Sequence, residues 1–142
     1  MSSLREQALS RIAAALLAAA PGGAVVFRDR ETSITRSQSP AIVVMPKSNG
    51  LTRTASAVDK NQFELNLEIF VRGDPWSSLA DPIDLAAHAV LMTDASLWTL
   101  VSDVRRISEN FDSLEADRTS GTLTVCYRLT FQTNALDITR AA

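Results

Sequence analysis

From Gln62 to Arg72 the chain reads QFELNLEIFVR. Phe63, Leu65, Leu67, Ile69 and Val71 alternate with Glu64, Asn66, Glu68 and Arg72. That is the period of a strand with one dry face and one wet face. Phe70 alone breaks the outward series, setting a large ring among carboxylates and an arginine. A long, half-wet strand fits the middle of an antiparallel sheet covered on one side by helices. Thr122 to Thr133 repeats the pattern, with Leu123, Val125, Tyr127, Leu129 and Phe131 on one face. Thr124, Cys126, Arg128, Thr130 and Gln132 take the other.

Before these strands, Leu4, Ala8, Ile12 and Leu16, flanked by Leu9, Ala13 and Leu17, fall at helical spacing and predict an amphipathic helix. Ser3 and Glu6 have the spacing of a capping box, and Pro21-Gly22-Gly23 stops the helix. Ala24 to Arg28 is short and apolar and predicts a strand, whereas Asp29 to Ser39 is polar and aperiodic and predicts a loop or frayed strand. Ala41 to Met45 lies between Pro40 and Pro46, which favours a sheet edge, where a missing N–H does no harm. Ser48-Asn49-Gly50 predicts a turn, and Leu51 to Asn61 a polar hairpin arm or mobile loop.

Gly73-Asp74-Pro75 turns the chain out of the long strand. Asp81-Pro82 then reads as a cap followed by proline at the first helical position. The helix carries Ile83, Ala86, Ala87, Val90 and Leu91 on one face and runs to about Met92; the alternative is a start near Trp76 with Pro82 as a kink. Asp94 to Val101 is a connection holding Trp98, and Asp103 to Asp112 is a strand whose Val104 and Ile107 fall out of alternation, predicting a bulge. Glu115 to Gly121 is a hairpin loop by composition, and 134–142 reads as a loose tail. The expected fold is α+β, an antiparallel or mixed sheet of four to five strands with two helices mainly on one face, formed by 1–142 as one domain.

Composition narrows the partners. Net charge is −2 with signs interspersed, so no broad basic footprint addresses nucleic acid, and sequence-specific nucleic-acid binding is not expected. The basic residues are nearly all arginine, with only Lys47 and Lys60 as lysines; GC-rich coding is the plain explanation, although arginine is also the better interface residue. The lone cysteine, Cys126, excludes an intrachain disulfide and a cysteine-built zinc site. No stretch approaches the roughly 20 apolar residues of a membrane span. The apolar run Ile12 to Ala20 keeps helical spacing behind Glu6, so it is read as a helix of the mature, cytoplasmically made protein and not a signal segment.

Catalytic chemistry is hard to find. His88 lies four residues after Asp84, so the two can meet on one helix face, but no GxSxG-like elbow or second histidine joins them. A packed or edge histidine is the better account. Glu64 and Glu68 share a face about 13 Å apart at strand rise, too far for paired glycosidase carboxylates. Arg105-Arg106 reads as solvated surface, and Gly22-Gly23 lacks the pattern of a phosphate cradle. No catalytic residue, metal or cofactor is assigned. Phe70, Trp76 and Trp98 are large apolar groups expected outside the core; local packing explains each singly, and together with the Pro-bounded edge strand Ala41 to Met45 they suit a subunit that buries surface against copies of itself.

The order of elements, with the strand end VRGDPW, the helix LADPIDLAAHAVLM and the closing RRISENFDSLEADRTSGTLTVCYRLTF, resembles the tail-terminator family of long-tailed bacteriophages. That family includes the lambda minor tail protein U and has head–tail connector relatives; the resemblance spans roughly Leu4 to Thr133. It implies a non-enzymatic virion subunit, assembled in the host cytoplasm as a homo-hexameric ring from a monomer or oligomer. The ring would cap the tail tube, stop its polymerisation and meet the head-completion or neck protein. A neck role, another binding module and a small enzyme stay as alternatives. On the ring reading, the contact residues are Ile42, Val44, Arg53, Glu64, Glu68, Phe70, Arg72, Trp76, Arg105 and Arg128.

Overall fold

The computed structural model describes residues 2–29, 39–114 and 117–142, without the side chains of Leu114, Asp117 and Arg118. Elements follow in the order α1 (Leu4–Ala19), β1 (Val25–Arg28), β2 (Ala41–Ala55), β3 (Val58–Arg72), α2 (Trp76–Thr93), α3 (Ala95–Trp98), β4 (Asp103–Leu114), β5 (Asp117–Asn134) and β6 (Asp137–Ala141). The fold is α+β. One mixed sheet runs β1-β2-β3-β5-β4, with β6 pairing β5 off that path. Among the described residues β1 and β2 pair in parallel and the other ladders are antiparallel.

Alternation decides which side of the sheet is dry. Phe63, Leu65, Leu67, Ile69 and Val71 of β3 are buried beside Leu123, Val125, Tyr127, Leu129 and Phe131 of β5. They meet Leu4, Ala8, Leu9, Ile12 and Leu16 of α1 and Ala80, Ile83, Ala87 and Leu91 of α2 in one core. Ser3 caps α1 through its hydroxyl, which accepts from the Glu6 N–H at 3.2 Å. Leu17, counted by its spacing in the apolar stripe, is 64% exposed, while Leu16 beside it is fully buried.

Several expectations change. Pro46 does not end β2: a register shift between Pro46 and Ser48 absorbs it, and the strand continues through Ser48-Asn49-Gly50 to Ala55. The expected turn there is therefore strand, and the polar arm is the far half of a hairpin turning at Ser56-Ala57. Cross-strand pairing of β2 with β3, and of β3 with β5, outweighs local turn propensity in that stretch. The later helix takes its early start, at Trp76, and carries Pro82 inside it, so Asp81 is not its cap. The expected bulge in β4 is present, between Arg106 and Ser108. The tail is not loose: β6 pairs with β5 at Thr133↔Ala141 and Asn134↔Asp137. The loop expected over Asp29 to Ser39 falls almost wholly outside the described residues, as do Glu115 and Ala116 of the loop expected over Glu115 to Gly121; from Asp117 onward that stretch is not loop but the start of β5, paired with β3 and β4.

Candidate functional site

Two regions hold the residues that sequence placed under suspicion. The first lies between α2 and the β4 side of the sheet. Asp84 and His88 do share one face of α2, but the organising group is Arg106 from β4. Its guanidinium forks onto Asp84, with Nη1 donating to Oδ1 at 2.8 Å and Nη2 to Oδ2 at 2.5 Å. Nη1 also donates to the Tyr127 hydroxyl at 3.1 Å, and Nη2 to the Glu109 carboxylate. The Tyr127 oxygen, accepting from Arg106, has its own hydrogen left for Nδ1 of His88, 2.9 Å away. His88 and Tyr127 rings stack at 5.9 Å.

The electrostatics follow from this geometry. Asp84 first, then Glu109, hold the Arg106 guanidinium firmly protonated, and burial pushes the Tyr127 phenol above its ordinary range. A carboxylate gripped at both oxygens by arginine is a poor general base, and an imidazole engaged by a buried phenol has one nitrogen already committed. Two open clefts of about 460 and 650 Å3 lie elsewhere. The first is lined by Val71, Leu79 and Ile83 among others, the second by Lys60, Ser102 and Gln132 among others. Neither is lined by Asp84, His88 or Arg106. The network is best described as a polar clamp between α2 and the sheet.

Arg106 corrects the sequence reading, which placed it with Arg105 on the surface. Consecutive residues of a strand point to opposite faces, so one of the pair had to turn inward. Arg105 is exposed, and Arg106 is drawn in by Asp84. That alternation was the available signal.

The second region is the side of the sheet away from the helices. Glu64 and Arg128 are register partners there, joined at 3.2 Å, with Lys47 at 3.7 Å from the same carboxylate. Arg128 hydrogen bonding, more than any other contact, pulls the Glu64 carboxyl below its usual range. The Cys126 thiol donates to Glu64 at 3.6 Å, and burial pushes it up, which fits a packing residue and not a nucleophile. Arg105 pairs in register with Arg128 and projects, 68% exposed, with the Asp103 carboxylate 3.9 Å away. Phe70 is half-buried on this face, as its place in the alternation requires.

Glu68 is the exception in that row. It is half-buried, no described side chain pairs with it, and burial alone raises its pKa. Between the ordinary carboxylate range and that raised value the folded state holds more protons than the unfolded chain, so stability falls as pH rises through the window. Glu68→Gln is expected to remove that slope and to leave the protein slightly more stable than wild type at neutral pH. Urea titrations from pH 4 to 8 check it; a wild-type slope retained in the variant would refute the assignment.

Of the other suspected contact residues, Arg53 at the β2 end is 60% exposed at its side chain and bonds Asp59 at 2.6 Å. Arg72 is exposed at the end of β3, and it makes interactions of its own. Trp76 opens α2 and lies over Gly121, with the Phe111 ring 6.4 Å away. Trp98, 36% exposed, donates its indole N–H to the Leu91 carbonyl at 3.0 Å. Ile42 and Val44 need correction. Both are fully buried on the helix side, and β1 pairs with β2 at Ala41–Val44, so neither side chain nor edge is open to a partner there. Among the described residues the outer edge of β2 is unpaired from Met45 onward. Sequence missed Phe111, which is 57% exposed; Leu51, at the head of the polar arm, is 64% exposed.

No protein-family model matches this chain, and no curated protein sequence matches it either. Among the described residues no helix is long and apolar enough to cross a membrane.

Proposed function

We propose that the chain is a structural subunit of a long-tailed bacteriophage or prophage, a tail-terminator protein that assembles as a homo-oligomeric ring, a hexamer by the resemblance. The ring caps the tail tube, ends its polymerisation and meets the head-completion or neck protein at the virion's head–tail joint. The observation that carries this reading is a pair of strand edges, on opposite sides of one helix-backed sheet, that no described residue covers. Among the described residues β2 has no partner on its outer side beyond Val44, and β4 has none besides β5. Two different edges on one subunit suit head-to-tail contacts, which close into a ring when the rotation allows. The half-buried, unpaired Glu68 also fits a surface that gains neighbours on assembly. The clamp around Arg106 supports a non-enzymatic role, because its acid and its imidazole are spent on holding α2 in place.

The test has two stages. Mass determination across concentration reads self-association of the free protein. Negative-stain imaging then reads whether it binds the ends of tubes assembled from its cognate tail-tube protein. Capped tubes of arrested length are expected. Binding to an isolated neck or portal assembly without any effect on tubes would move the protein to the neck. Tubes that grow unhindered and uncapped would overturn the tail-terminator role.

A further inference from the structure

We infer that the open edge of β2 in one copy pairs with the free edge of β4 in the next, in one antiparallel register, so that the sheet continues from subunit to subunit. This rests on the ring reading and specifies its contact. Register shifts interrupt β2 at Pro46/Ser48 and Arg53/Ala55, and β4 at Arg106/Ser108 and Ser113/Leu114. Between those shifts each edge offers one regular stretch, Ser48 to Arg53 and Ser108 to Ser113. On each stretch one large apolar side chain stands out, Leu51 at 64% and Phe111 at 57% exposed. Two residues from each stands an exposed charge of opposite sign, Arg53 at 60% and Glu109 at 45%.

The faces agree. Leu51 and Arg53 pair in register with Asn61 and Asp59, on the helix side of β3, and Glu109 and Phe111 pair with Val125 and Leu123, on the helix side of β5. Setting Leu51 opposite Phe111 in antiparallel sense therefore sets Arg53 opposite Glu109 on the same face. A slip of one residue would turn the two sets to opposite faces, and a slip of two would set leucine against glutamate or arginine against phenylalanine. In the chosen register the existing pairs Asp59–Arg53 and Glu109–Arg106–Asp84 join into one series of alternating sign. Cross-strand opposite charges and apolar pairs are the contacts that stabilise a ladder.

Strand direction agrees as well. β2, β3, β5 and β4 each reverse their neighbour, so β4 runs opposite to β2. Copies related by a rotation that preserves strand sense thus present β4 antiparallel to the next β2. A second copy, edge β2 to edge β4, is the partner that the charges select: β2 against β2, or β4 against β4, would bring no opposite charge across the contact to Arg53 or Glu109.

Bis-maleimide cross-linking tests this with Leu51→Cys and Phe111→Cys, since the native Cys126 is buried. Mixing the two single variants is expected to give a cross-linked dimer that neither gives alone, and the double variant a ladder. Arg53→Cys with Glu109→Cys, which leaves the Phe111–Trp76 contact intact, should behave alike. Cross-linking of either single variant with itself overturns the register in favour of a two-fold contact. Rings that form by mass or on tubes without the mixed cross-link overturn the edge pairing but keep the ring. Absence of both cross-links and rings overturns the two together.

Discussion

Replacing Arg106 by methionine is expected to destabilise the protein by about 2–3 kcal/mol. Breaking a buried ion pair by removing one partner costs about 3–5 kcal/mol where burial is complete, and Arg106 keeps a quarter of its side chain exposed, so the cost falls to the bottom of that range or below it. The cost comes from what remains: Asp84, 8% exposed on α2, loses both of its guanidinium bonds, and the Tyr127 hydroxyl loses its donor. Removing the acid as well should relieve most of it. Asp84→Leu combined with Arg106→Met is expected to lie within about 1 kcal/mol of wild type, because apolar groups of similar volume replace such pairs at little cost. Urea unfolding of wild type, both single variants and the double variant closes the cycle. Additive losses would show that the clamp is not a coupled unit. They would also reopen Asp84 and His88 to some other role.

Gly121→Ala carries the second large effect. A Cβ there would sit 2.2–2.5 Å from ring atoms of Trp76, a backbone-anchored indole at the first residue of α2. The ring must move, and with it the contact to Phe111 and the entry of the helix. Overpacking of this kind costs about 1–3 kcal/mol. Gly121 has no positive φ, so the penalty is steric and not conformational. In a Trp76→Ala background the same substitution is therefore expected to be nearly silent. Equal losses in both backgrounds, read by thermal unfolding with tryptophan emission as the local probe, would refute the steric account.

These two sites show where sequence is legible and where it stops. Alternation in Gln62 to Arg72 and Thr122 to Thr133 located the two central strands and their dry faces, because strand geometry forces successive side chains apart whatever surrounds them. The helical stripe of α1 was equally readable. Nothing local could show that Gly121 leaves room for Trp76, since the two meet only when α2 folds back over β5. Nor could spacing show that Arg106, not Arg105, answers Asp84. The i, i+4 relation of Asp84 and His88 was visible, but its meaning changed once a third strand supplied the cation.

The β2 arm makes the same point about edges. Pro46 and Ser48-Asn49-Gly50 are local stop signals, and their local weight is real. In the folded chain they lie on a strand that gains its bonds from β3, and the outer edge that Pro46 cannot serve has no described neighbour to miss it. Ile42 and Val44 were suspected as edge residues for the same reason. β1, placed beside them in parallel, closed that edge, and among the described residues the unpaired one begins at Met45.

The amino-acid order by itself settled the strongest periodicities: that α1 is helix, that β3 and most of β5 are strand, which side of each is dry, and hence a helix-backed α+β sheet. Tertiary structure alone decided which charges answer one another, which glycine makes space for an indole, and which strand edges remain open. Periodicity is a property of neighbours a few residues apart, whereas a salt bridge, a steric fit or an unpaired edge is settled by groups that only folding brings within reach.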